Sequence, residues 1–117
     1  MDDAAFLRAL QRGTYPKQEM DHRAHLRLAL LLRGEPGRAA EILRGYAASV
    51  GQAARYNETL TLFWMRAAAH HGGSVEDALR SPLADKDLPL RHYSEELLWS
   101  DAARAGWVEP DLRPLPF

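Results

Sequence analysis

Apolar residues recur at helical spacing through most of this chain, and nowhere do they alternate long enough to build a strand. That rhythm leaves a helical bundle and rules out sandwiches and barrels. Asp2 or Asp3 can cap a first helix bearing Phe6, Leu7 and Leu10, which Gly13 would stop. A second helix is expected from Pro16 to about Arg33, since proline suits a first turn and Gly34-Glu35-Pro36-Gly37 breaks the run at its far end. A third should cover Arg38 to about Val50, with Ile42, Leu43 and Tyr46 on its apolar side, and residues 51–55 then connect. The fourth begins near Tyr56 or Asn57 and ends at Gly72-Gly73. It directs Arg66 and His70 to solvent and Asn57, Thr61, Trp64 and Ala68 inward, with Glu58 on the flank.

Beyond Gly73 the pattern shortens. Ser74, Ser94 and Ser100 each stand where they can cap a brief helix, the last ending at Gly106, and Asp87-Leu88-Pro89-Leu90 reads as a loop with buried leucines. The ending from Glu109 to Phe117 is rich in proline, and its leucines suggest an extended strap over the bundle. The expectation is one all-α domain over residues 1–117, with four main helices, short C-terminal helices and a proline-rich extended tail.

Composition narrows the function classes. A chain of 117 residues can bury about two thirds of its unfolded surface, so no metal is needed to hold it together. Fifteen basic residues against sixteen acidic ones argue against nucleic acid as a partner, because phosphate binding needs a concentrated basic face. Only Lys17 and Lys86 are lysines, a bias that reads as genome composition rather than function. The absence of cysteine removes thiolate metal sites and a cysteine nucleophile. The acidic start lacks the regions of a signal peptide, and the longest apolar run, Leu28 to Leu32, is too short to span a bilayer. A cytoplasmic protein without a membrane partner is the simplest expectation.

The chemistry-bearing residues start with His22 and His25 in Asp21-His22-Arg23-Ala24-His25-Leu26. On a helix they stand about 60° apart, opposite Arg23 and Arg27, and should face inward beside Gln18, Ala29 and Leu32. Two imidazoles at this spacing can converge on a divalent transition metal, with Glu58 the best available third ligand. Without metal the same pair suits proton transfer near neutral pH, with Glu58 as charged partner. Asn57, Thr61, Tyr93 and Arg91 would then contact a substrate, with Trp64 as an apolar wall. His92 could supply a further imidazole from the same loop as Arg91. Each residue also has a plainer reading: a hydrogen-bonded core histidine for the pair, a helix-start carboxylate for Glu58, core packing for Trp64 and a solvated loop for residues 91–93. His70-His71 reads as helix-end capping.

Four segments, Asp21-His22-Arg23-Ala24-His25-Leu26, Tyr56-Asn57-Glu58-Thr59-Leu60-Thr61, His92-Tyr93-Ser94 and Val108-Glu109-Pro110-Asp111-Leu112-Arg113-Pro114-Leu115-Pro116, resemble successive motifs of an uncharacterised bacterial family of small helical proteins. The likeness is collinear, covers nearly the whole chain, and implies a shared fold without an established activity. That family's pattern carries histidine where this chain has Asn57, and tyrosine where it has His92. The resemblance therefore implies a three-histidine, metal-like arrangement that Asn57 interrupts here, and that His92 could restore by swinging inward.

The resulting expectation is an inward pocket that binds and transforms a small molecule by histidine-based acid–base or metal-assisted chemistry. The alternative is a non-catalytic ligand-binding or interaction module, using Trp99, Trp107 and the strap against a partner or a second copy of the chain.

Overall fold

A computed structural model describes all 117 residues, and every regular element in it is helical. The helices are α1 (Asp3–Arg12), α2 (His22–Leu31), α3 (Pro36–Ser49), α4 (Glu58–His71), α5 (Val75–Leu79), α6 (Glu95–Leu98) and α7 (Asp101–Ala105). Single 3₁₀ turns at Lys17–Glu19, Ala53–Arg55, Pro82–Ala84 and Leu88–Arg91 join them. No helix is long and apolar enough to cross a membrane.

Local capping sets most of these boundaries. Asp2 accepts the Ala5 amide to start α1, and Asn57 accepts the Leu60 amide to start α4. Ser74, Ser94 and Ser100 cap α5, α6 and α7, with Asp77 completing a reciprocal capping box at the first of these. Gly13 ends α1 in the left-handed region at φ 70°, and a Cβ there would stand 2.6 Å from that of Ser49. That contact is the close approach between the ends of α1 and α3.

The second helix departs from expectation. Pro16 begins only the turn Lys17–Glu19, and α2 starts afresh at His22 because the Asp21 carboxylate accepts the Ala24 amide at 2.9 Å. An aspartate cap satisfies an amide that a continuous helix would have bonded elsewhere, so the chain breaks before the histidines. Gln18 is consequently exposed rather than inward. The third helix starts two residues early, since Pro36 fits a first helical position as well as it fits a loop.

α4 is the hub, packed against α2, α3 and α7, while α1 lies on α3 and α5 on α2. α2 is amphipathic, burying Ala24, Leu26, Leu28, Ala29 and Leu30 against its neighbours while Arg23 points to solvent. Phe63 of α4 sits at the centre, edge-on to Trp64 and to Phe117. Phe117 ends the strap. Leu115 and Phe117 pack on the core, and the Leu112 amide donates to the His92 carbonyl, whereas the Leu112 side chain stays 60% exposed. Thr59, fully buried in the first turn of α4, fixes where the strap begins: its hydroxyl donates to the Gly106 carbonyl at 2.7 Å and accepts the Val108 amide.

Candidate functional site

Between α2, α3 and α4 lies an open cavity of about 580 Å³, bordered also by Lys17, Gln52, Arg55 and Lys86 from the connecting segments. That volume is in the range of pockets that hold small molecules. Its walls are largely apolar, with Met20, Leu28, Leu43, Val50, Leu60 and Met65 among them. The helix breaks at both ends create it, because α2 and α4 begin with capping residues, Asp21 and Asn57, that border the same space.

His22 and His25 both line this cavity, as the spacing anticipates. His22 is half-buried. Its Nε2 lies 2.7 Å from the Leu83 carbonyl, and the ring meets Trp64 edge-on at 4.8 Å. A carbonyl only accepts, so Nε2 carries the proton and Nδ1 keeps the lone pair. His25 has the opposite arrangement: its Nδ1–H donates to the Asp21 carbonyl at 2.7 Å, leaving Nε2 as the basic atom. The pair is thus held in two different tautomers by two different main-chain carbonyls.

His25 is solvent-exposed on the cavity, yet protein crowds it closely enough to change its titration. Loss of hydration pushes its pKa below the ordinary 6.5, and the neighbouring His22 adds to this, while the hydrogen bond to the Asp21 carbonyl and the Asp21 charge oppose it. The neutral form with a free Nε2 is therefore favoured at neutral pH. Folding stability follows from the same shift. The unfolded chain takes up this proton near pH 6.5 and the folded chain resists it, so stability is full above pH 6.5 and declines as pH falls through the lower folded pKa. Chemical denaturation between neutral and mildly acidic pH should show this slope, and His25→Gln should flatten it. An unchanged slope in the variant would remove His25 as its source.

Asn57, Thr61 and Trp64 also reach the cavity. Asn57 has little left to offer a ligand, because its buried amide donates to the Leu98 carbonyl at 2.7 Å and its Oδ1 caps α4. The Thr61 hydroxyl donates back to the Asn57 carbonyl.

Four expected contacts lie elsewhere. Glu58 does not face the histidines: it accepts from the Tyr56 hydroxyl at 2.5 Å and stands 3.5 Å from Arg44. A carboxylate on the first turn of α4 is favoured by the helix dipole and turns to the nearest donors on the α3 side. Arg91 is exposed and paired with Asp85, away from the cavity. Tyr93 is completely buried, with its hydroxyl donating to the Val108 carbonyl at 2.7 Å, and desolvation raises its pKa to about 12. His92 is buried as well. Its Nδ1 lies 3.1 Å from the carbonyls of both Arg113 and Pro114, so it holds the strap and does not swing inward. The metal arrangement therefore lacks its third donor, and no three histidine or acidic side chains stand where they could share an ion.

The sequence reading missed Lys17, Lys86, Arg55, Gln52, Tyr46 and Tyr56, all of which line the cavity. Tyr46 donates to the Tyr15 carbonyl, and burial together with the Glu58 bond raises the Tyr56 pKa. The overlooked signal was lysine itself. The chain has only two, and both border the pocket.

Trp107 is folded in beneath the Arg66 guanidinium, 3.9 Å from the ring centre, and packs edge-on to Tyr93. Of the surface the sequence offered to a partner, Trp99 and Leu112 of the strap remain exposed. Compared with known proteins, the chain matches no family model, no curated protein and no solved structure.

Proposed function

We propose that the chain binds a small molecule with an apolar body in the α2–α3–α4 cavity and transforms it with His25 as the acid–base group. The observation that carries this reading is the pairing of a walled apolar cavity with an imidazole whose basic nitrogen is freed by a fixed tautomer. Loss of hydration, which lowers the His25 pKa, adds to that geometry by favouring the neutral ring at neutral pH. His22, bonded to the Leu83 carbonyl and edge-on to Trp64, is the positioning neighbour that keeps the wall in place. No metal enters the scheme.

Small compounds can be screened by NMR, reading the ring protons of His25 and the indole N–H of Trp64, and those that bind monitored for conversion. Binders should move both signals together. His25→Gln should lower turnover roughly 100-fold or more while the affinity changes little. If binders cluster away from these two residues, or conversion survives the substitution, the reading is wrong.

A further inference from the structure

We infer that the ligand of this cavity is an apolar organic acid, held by its carboxylate between Lys17, Arg55 and Lys86. The inference rests on the binding half of the proposed function and names the class of molecule bound. Thirteen of the fifteen basic residues are arginine, and six of those arginines are ion-paired with carboxylates over the surface. The two lysines, like the other seven arginines, carry no ion pair, and what sets them apart is where they stand. They come from the turn after Pro16 and from the segment between two 3₁₀ turns, far apart in sequence, and both line one cavity.

Neither lysine has a carboxylate within ion-pair distance, and Arg55 has only the neutral Gln52 amide, at 3.4 Å. The cavity's one acidic side chain is Asp21, and its Oδ1 is already committed to capping α2. Three cations against one carboxylate give the cavity a positive balance in a chain whose formal net charge is −1. Long side chains of this kind can lay their stems along an apolar wall and keep their charged ends at the water boundary. A molecule lodged between Leu28, Leu43, Leu60 and Trp64 would thus meet cations where it emerges. An apolar body with a carboxylate end satisfies both parts, whereas a neutral hydrocarbon leaves the cations unused and an amine meets repulsion.

The test compares octanoate, octanol and octylamine, three probes with the same chain and different heads, on the folded full-length protein. Binding is read from the assigned Trp64 indole signal. Octanoate should bind about tenfold or more tightly than octanol, and added salt should weaken octanoate alone. The triple substitution Lys17→Gln, Arg55→Gln, Lys86→Gln should erase that advantage and leave octanol affinity as it was. All three side chains are exposed, so the variant should fold, and its melting temperature checks this. Octanol or octylamine binding as tightly as octanoate overturns the acid assignment while leaving the pocket reading intact. The same holds if octanoate affinity in the triple variant stays within about twofold of the parent. If no probe of any charge shifts Trp64, both readings fall.

Discussion

Tyr93→Ala is expected to lower the melting temperature by roughly 10–20 °C, a loss of about 3–5 kcal/mol of the 5–15 typical of a domain this size. Tyr93 is a fully buried large side chain, placed between the Leu88–Arg91 turn and the strap. Removing its ring leaves a cavity beside Trp107, and removing its hydroxyl leaves the Val108 carbonyl without its donor. Tyr93→Phe separates the two effects: it keeps the ring and should cost only about 1–3 kcal/mol. The strap should loosen in both variants, and limited proteolysis after Val108 can detect this. Thermal unfolding of Tyr93→Ala within a few degrees of the parent would show that the C-terminal half does not depend on this side chain.

The second large effect is expected at Asn57. Asn57→Ala should cost roughly 2–4 kcal/mol, combining a lost helix cap with a buried carbonyl deprived of its partner. The amide does two jobs at once. Oδ1 accepts the Leu60 amide at 3.0 Å, and Nδ2 reaches the Leu98 carbonyl, 41 positions along the chain. Asn57→Asp distinguishes them, because aspartate caps equally well but sets a buried negative charge against the Leu98 carbonyl. Denaturant midpoints should therefore place the aspartate variant well below the parent at neutral pH. Should it match the parent, the cap would account for the whole contribution and the tie to α6 would carry little.

By sequence both residues read as substrate contacts, and the reason lies in what each signal can see. A helical wheel tells that Asn57, Thr61 and Trp64 share an inward face, and all three do border the cavity. It cannot tell that the Asn57 amide is already spent on Leu98. Glu58 shows the same limit from the other side. Its position on the flank of α4 is a matter of about 100° per residue, but its partner is chosen by Tyr56 two residues back and by Arg44 on another helix. His92 and Tyr93 sit outside any long helix, so periodicity gives no direction for them at all. Their destination, the strap, is fixed by main-chain carbonyls 15 to 22 positions further along.

The lysines teach the opposite lesson. Their rarity is plain in the composition, yet it acquires meaning only when two distant turns bring Lys17 and Lys86 to one cavity. Nothing in either local segment announces a pocket, since exposed lysines in turns are common and need no reason.

The sequence alone determined the all-helical class, the caps at Asp2, Ser74, Ser94 and Ser100, and the shared side of His22 and His25, because each of these depends on residues within three or four positions. Tertiary structure alone decided which polar groups remain free. His22 is bound to a carbonyl 61 positions away, Asn57 to one 41 away, and His25 only to its own helix cap. A buried donor takes whichever acceptor packing brings within about 3 Å. The free nitrogen of His25 and the unpaired cations that border the same cavity are what that packing leaves over.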